Sequence, residues 1–511
     1  MRRLDIVRIF FALALTGIAS ILLGGCAVTA PPGTVPVAAP SQWYAPLPAN
    51  GALAPVAEPA LKSERPHNAS LISLSQWWQL QNDPLLVELI EAAQLISPSV
   101  ITARANIEQA QATRAASEAA LLPKLDASTN INRSLSAPVN RTTVPPLTNF
   151  GQLGLQTSWE LDLFGQNQAS LDADKERTLG AEALWHDARV SVAAEVALQY
   201  FSLRSCDKLL QVTRADARSR ADTNRLTELL TKSGFGAPAT AALARASAAE
   251  SNARATQQRA ECEVTLKTLV ALSAVDEPLL RKKLAQTTSA TELQGIANIS
   301  SIPAEVLTQR PDIYNAAREL TAASFEVGSA RAQRYPRLSI AGSIAANESS
   351  ARNFTQRFNT WSIGPLALTV PLFDGGASLA NLDAAKARYE EAAGKYRGTV
   401  RQAVREVEEA LTRLQSTADR SADTAAAAEG YRASFAGTEA RYKAGLASLV
   451  ELEEARRTLL ASQSAVVNLE QERRSAWITL YRALGGGWNT AELPAKPMVF
   501  DIPEWALPIW N

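Results

Sequence analysis

The feature that most constrains this chain is that its pattern occurs twice. "SPSVITARANIEQAQATRAASEAALLPKLDASTNI" from Ser97 runs parallel to "RPDIYNAARELTAASFEVGSARAQRYPRLSIAGSI" from Arg310, with Pro98 answering Pro311 and Pro123 answering Pro336. Farther on, "LDLFGQ" at Leu161 answers "VPLFDGG" at Val370, and "TKSGFGAPATAALARA" at Thr231 answers "YKAGLASLVELEEARR" at Tyr442. The offset stays near about 210 residues, so one structural unit is duplicated and each of its elements must be built twice.

Both copies share a grammar. A helix opens after a proline signal (Pro84 or Pro311) and closes at the next proline (Pro123 or Pro336). Two strand-like stretches follow, "KLDASTNINRSL" and "GLQTSWELDL" in the first copy, "RLSIAGSIAAN" and "WSIGPLALTVPL" in the second. Each holds about 10 residues of roughly alternating polarity, the length of one tilted barrel strand crossing a bilayer. The polar segments 136–151 and 348–360 suit loops on the far side of a membrane. After "FGQ" or "FDGG" comes a helical run of about 68 residues, on the order of 100 Å at the rise of an α-helix. A glycine then breaks the run, and a helix of about 35 residues returns, which describes an antiparallel coiled hairpin.

Four strands cannot close a barrel, since about eight is the smallest that does. An open sheet in lipid would leave its edges unpaired, which a bilayer does not tolerate. The strands must therefore belong to a barrel shared between chains, and a trimer gives twelve. The expected fold is an α+β membrane protein: a long antiparallel α-helical coiled-coil barrel, four transmembrane β-strands per chain, and a shared 12-stranded β-barrel in a homotrimer.

Composition narrows the chemistry. Half or more of the chain reads as Ala/Glu/Arg/Gln/Leu helix. The 51 basic residues balance 51 acidic ones, so nothing points to nucleic acid. His67 and His186 are the only histidines, and no Cys/His cluster suggests a metal site. No glycine-rich phosphate loop followed by lysine is present. No cofactor is expected, and no residue stands out as catalytic.

The N-terminus reads as an export signal. "MRRLDIVR" is a basic start and an apolar run of about 15 residues follows, short for a membrane span. The run ends in "LGGC", which resembles the lipobox of bacterial lipoproteins, so residues 1–25 read as a signal peptide and Cys26 as the acylated first residue. The alternatives are an uncleaved anchor or an ordinary signal peptide. Ala27, where an aspartate would favour retention at the inner membrane, directs the expected destination to the outer membrane. Residues 26–75 read as a Pro/Ala-rich tether, 76–300 as the first unit, 301–488 as the second, and 489–511 as a tail. The stretch 292–300 and that tail are expected to form an equatorial belt.

The segments "WWQLQNDPLLVELIEAA", "QRPDIYNAARELTAAS", "YPRLSIAGSIA", "LTVPLFDGG", "RYKAGLAS" and "LYRALGGGW" together resemble the TolC-like outer-membrane factors, specifically the lipoprotein branch with NodT-type efflux components. Their order and spacing carry the resemblance from about Gln76 to Trp488. It implies a homotrimeric outer-membrane channel that docks a periplasmic adaptor and an inner-membrane pump of the resistance-nodulation-division type, exporting drugs or metabolites. A duct for type I protein secretion is the alternative within this class. Outside it, a structural periplasmic coiled-coil lipoprotein would need no transmembrane strands.

Several residue roles follow from the resemblance. Gly234 and Gly445 mark the ends of the two hairpins, where a reversing backbone needs angles that a Cβ penalises. Gly234, Phe235, Gly445, Leu446 and Ser448 would form the adaptor-docking tips, the alternative being tight helical turns alone. Val450, Glu451, Glu454 and Tyr442 would form the periplasmic gate, with the two glutamates of three chains ringing the pore. The competing readings are a solvated charged face for the glutamates and simple coil packing for Val450. Glu453 reads as a surface residue. Tyr442 would latch the closed state, and its usual acidic partner falls at Thr240.

Cys206 and Cys262 are a separate matter. Cys206 lies 29 residues before Phe235 and Cys262 lies 27 after it, at nearly equal height in an antiparallel hairpin. Leucines at 3/4 spacing around both point inward, and an oxidising periplasm favours their disulfide. Two buried free thiols are the alternative.

Overall fold

The computed structural model describes residues 30–37, 40–46, 77–135, 147–286, 307, 310–351 and 354–488. Cys26, most of the tether, the stretch 292–300 and the tail 489–511 lie outside the described residues.

A short α1 (Trp77–Leu80) leads into α2 (Pro84–Ile96). Proline occupies the first helical position, where no N–H is needed, and Asp83 caps the helix by accepting from Leu86 N at 3.2 Å. The single helix expected up to Pro123 is instead two, α2 and α3 (Pro98–Ala119). Pro98 is the reason: it forces the preceding residue out of helical backbone, and Ser97 has ψ 125°. The counterpart of α3 is α7 (Pro311–Ala332), which opens at the matching Pro311 and has the same 22 residues.

Strands β1 (Lys124–Leu135), β2 (Leu147–Leu161), β3 (Arg337–Ala351) and β4 (Phe354–Thr369) form one antiparallel sheet in the order β1-β2-β3-β4. Three of them are longer than expected, at 15, 15 and 16 residues, and absorb much of the segments read as loops. A ladder needs an apolar face only where lipid touches it, so its polar outer reach lacks the alternation that marks a strand in sequence. β2 and β4 also stop short of the expected ends, β4 before Pro371, which has no N–H to give a ladder.

Residues opposite each other in a ladder share a face. Leu125, Leu153, Leu155, Trp159, Ile340, Ile344, Trp361, Ile363, Leu366 and Leu368 therefore stand together on one face through the paired registers. Most are exposed in the single chain, Ile363 at 83% and Trp361 at 74%. The opposite face carries Ser, Thr, Asn and Gln. Such a sheet separates lipid from water.

From this sheet descend α4 (Gln166–Lys232) and α8 (Ala377–Lys443), 67 residues each. They are answered by α5 (Pro238–Ser273) and α9 (Leu449–Ala483). A short α6 (Glu277–Gln286) closes the first unit. The largest core gathers α1, α2, α4, α5, α6, α8 and α9 around Trp77, Leu86, Tyr200, Leu269, Leu411 and Ile478. Trp77 stacks on Tyr481 with ring centres 5.1 Å apart, and Tyr200 OH donates to Asp83 Oδ2 at 2.6 Å. Buried alanines such as Ala193, Ala194 and Ala197 let the long helices approach closely.

Two further features tie the unit together. Cys206 on α4 and Cys262 on α5 are disulfide-bonded, with Cα atoms 5.5 Å apart, so the expected staple is present. The described part of the tether lies against α7 and α8. Gly33 O accepts from Thr321 Oγ1 at 3.0 Å, Pro32 O from Tyr389 OH at 2.9 Å, and Pro31 O from Ser324 Oγ. Farther along, the N–H groups of Tyr44 and Ala45 both donate to the Glu408 carboxylate at 2.7 Å, and Trp43 is buried.

Candidate gate at the hairpin ends

Both hairpins end in the same backbone device. Gly234 and Gly445 have φ of +82° and +72°. Phe235 N donates to Leu230 O and Leu446 N to Arg441 O, each at 2.8 Å, while Gly234 N and Gly445 N reach Thr231 O and Tyr442 O at 3.1 and 3.0 Å. This is the Schellman pattern, which closes a helix on a left-handed glycine. In that motif the residue after the glycine usually packs back on the helix. Here Phe235 and Leu446 stand out in solvent, 87% and 69% exposed.

The returning helices start differently. Pro238 opens α5 without a side-chain cap. Ser448 opens α9 with a full capping box: its Oγ accepts from Glu451 N at 3.2 Å, and Glu451 Oε2 accepts from Ser448 N at 2.7 Å. Glu451 thus has a local structural task. The hydrogen bonds from Ser448 hold its carboxyl below the usual range, with the Arg441 guanidinium adding a smaller pull. Glu454, one turn on, is exposed and pairs with Arg457. Val450 is 65% exposed, while Leu449 and Leu452 pack against Ala244 with Phe435 and Tyr442 alongside. Within this chain Val450 is therefore outside the coil's packing. Val450, Glu454 and Arg457 fall at i, i+4 and i+7, which makes one exposed stripe on α9.

Tyr442 meets a hydroxyl, but the partner is Thr227 on α4, at 3.3 Å, rather than Thr240 on α5. Thr227 lies seven residues before Gly234 and Tyr442 three before Gly445, so the two hairpins meet here offset by about one turn.

Glu453 is not a surface residue. Its side chain is 16% exposed and sits between two guanidiniums. Glu453 Oε1 accepts from Arg456 Nη1 at 2.8 Å, and Oε2 accepts from Ser247 Oγ at 2.6 Å and from Arg220 Nη1. Arg220 also holds Asp216 at 3.0 Å, and Arg456, 3% exposed, donates to Thr223 Oγ1 at 2.7 Å. These buried charges bind α9 of the second hairpin to α4 and α5 of the first, about 20 Å above the ends at the helical rise. The sequence did carry the signal. Leu449, Leu452, Arg456 and Leu460 form a 3/4 stripe, so Arg456 occupies a core position that demands a counter-charge.

A four-stranded sheet with one lipid-facing side, standing on two 67-residue helices that reverse at matched glycines, defines a channel-forming outer-membrane protein. The family model described as "Outer membrane efflux protein" matches residues 89–274 and 302–486, and the chain belongs to that family. The two matched segments correspond to the two units of the repeat. The chain is similar to the solvent efflux pump outer membrane protein SrpC of Pseudomonas putida, 27% identical over 80% of this chain and 87% of that one. It is also similar to outer membrane protein OprJ of Pseudomonas aeruginosa, 29% identical over 85% and 91%. Among solved structures, the Campylobacter jejuni CmeC outer membrane channel superimposes with a TM-score of 0.78 at 26% identity, covering 91% of this chain and 96% of that one. VceC of Vibrio cholerae gives 0.71 at 28% identity, covering 81% and 99%. The chain is an outer-membrane channel component of an efflux system.

Proposed function

We propose that three copies of this chain close their sheets into one twelve-stranded barrel, anchored in the outer membrane through acylated Cys26. The paired helical hairpins continue it as a tunnel across the periplasm. The observation that carries this reading is the sheet itself: four strands long enough to span a bilayer, one apolar face, and two edges, β1 and β4, with no partner strand among the described residues. The first described stretch after Cys26 supports the anchor, because residues 31–33 lie against the middle of α7, the helix that leads into β3.

The hairpin ends dock a periplasmic adaptor, which links the channel to an inner-membrane pump of the resistance-nodulation-division type. The bare Phe235 and Leu446 beside small residues are the docking surface. The gate is the stripe of Val450 and Glu454 with Glu451 beside it, repeated in three chains. Small molecules are the cargo. Relatives named for a solvent efflux pump and for pyoverdine export support that class over secreted protein.

The test is the native mass of protein extracted from outer membranes in mild detergent. A trimer is expected, and its conductance in planar bilayers should rise when Glu454→Gln is combined with Val450→Ser. A monomer, with extraction shown not to dissociate it, sinks the shared barrel. A trimer whose conductance ignores both substitutions keeps the barrel and removes the gate.

A further inference from the structure

The register of the sheet separates a lipid-facing side from a lumen-facing one, and the second has an unexpected composition. Its ionisable residues, Lys124, Asp126, Glu160 and Arg337, all sit at the end where the strands meet the helices. Farther out, the described residues on that side are hydroxyl-bearing, amide, small or aromatic, and none is charged. Three phenylalanines stand there near the far end. Phe150 lies opposite Asn132 and Ser349, Phe358 opposite Asn347, and Phe354 opposite Ala351.

The level is marked from outside. On the lipid-facing side the neighbours at this height are Glu348 and Arg357, paired at 2.7 Å, so the phenylalanines lie just beyond the apolar band, at the outer mouth. Asn347 is 6% exposed, and its Nδ2 donates to Thr360 Oγ1 at 2.9 Å.

We infer that Phe150, Phe354 and Phe358, set among Gln152 and Asn347, form an aromatic and amide collar at the outer mouth that binds neutral aromatic small molecules as they leave. This rests on the shared-barrel reading given above. Phenyl faces in a water-filled lumen gain by covering apolar surface. They favour aromatic cargo through offset or edge-on ring contact. The Gln152 amide orients a hydroxyl or carbonyl on that cargo, while Asn347 is tied to Thr360 and holds the strands beneath Phe358, and the lack of charge offers nothing to an ion. Binding is shallow and repeated around the barrel, which slows cargo without trapping it.

A single engineered thiol tests the collar on the full acylated protein, whose own cysteines are engaged in the disulfide or in the proposed acylation. Ser349→Cys places a thiol opposite Phe150 and diagonal to Phe358 on the lumen side, and Ser350→Cys places one on the opposite side. Whole cells are treated with a membrane-impermeant maleimide, with and without 1-naphthol. Ser349→Cys is expected to label, and 1-naphthol to slow its labelling several-fold, whereas 1-naphthalenesulfonate does not. Adding Phe150→Ser and Phe358→Ser should abolish the slowing while labelling persists. Labelling that 1-naphthol leaves unchanged overturns the collar and leaves the channel reading standing. No labelling at either position puts the rings out of reach of cargo and also overturns the collar. Labelling at Ser350→Cys but not at Ser349→Cys overturns the face assignment and the barrel reading with it.

Discussion

Glu453 shows how one residue's surroundings can outweigh its type. Flanked by Glu451 and Glu454, it reads as part of an exposed acidic run, yet it is the member that turns inward between Arg220 and Arg456. Removing one partner from a buried ion cluster costs more than the cluster contributes, because the remaining charges lose compensation. Glu453→Gln should therefore lower stability by about 3 kcal/mol, seen as a lower thermal midpoint. Glu453→Leu together with Arg456→Leu should lose clearly less. Equal midpoints for wild type and Glu453→Gln would show that the cluster does not bind the hairpins. His186 makes a second case at this scale. It is buried beside Trp185 and near Trp488, and burial, followed by the charge of Arg189, pushes its pKa down to about 4. The unfolded chain then takes up the proton first as pH falls, so this contribution is complete above about pH 6.5 and lost towards about pH 4. The difference in thermal midpoint between pH 7 and pH 4.5 should shrink in His186→Phe; an unchanged difference would place the acid sensitivity elsewhere.

Among the elements, the two hairpins match in length and differ in fastening. Only the first carries a disulfide, joining α4 to α5 across a sequence separation of 56. Chain-entropy reasoning gives such a closure about 4 kcal/mol. Reduction, or Cys206→Ser with Cys262→Ser, should lower the thermal midpoint and make α4 and α5 the less protected helices in hydrogen exchange. Unchanged protection of both would show that packing alone holds the hairpin. The second hairpin has the capped end, through Ser448 and Glu451. At Gly445, φ is +72° and an added Cβ would meet no atom within 4 Å, so Gly445→Ala carries a backbone penalty and no clash. The expected loss is about 1 kcal/mol, and a loss several times larger would mean that the end packs against something in the assembly. Element lengths were legible in the sequence because glycine and proline punctuate it. The helix break at Ser97 obeys the same rule through Pro98, although a single helix was expected across it; the outer reach of β2, β3 and β4 was not legible, since a ladder outside lipid needs no alternation.

For the whole molecule, the sheet has to satisfy two solvents at once. Ile344 and Ser343 are neighbours in β3, but the register puts Ile344 beside Trp361 on the lipid side and Ser343 beside Ser362 on the other. Arginine on the lipid face near mid-bilayer costs about 2–4 kcal/mol, while a lumen position tolerates it. Ile344→Arg should accordingly cut the yield of assembled protein in outer membranes, and Ser343→Arg should not. Similar yields for both variants would mean that the two faces are wrongly assigned. The described tether belongs to this scale as well, since carbonyls at 31–33 and N–H groups at Tyr44 and Ala45 fasten it to α7 and α8.

The sequence by itself determined the duplication, the helix and strand order, the hairpin ends and the pairing of Cys206 with Cys262. These depend on local punctuation and on counting along rigid helices, and both can be read in one dimension. Tertiary structure alone decided that Glu453 is buried, that Tyr442 meets Thr227, that Val450 stands clear of the coil and that three phenylalanines share one face of the sheet near its far end. Each of those facts depends on the azimuth at which one helix faces another, or on the register between strands far apart in the chain. Side-chain packing sets these angles and registers, and no spacing within a single segment encodes them.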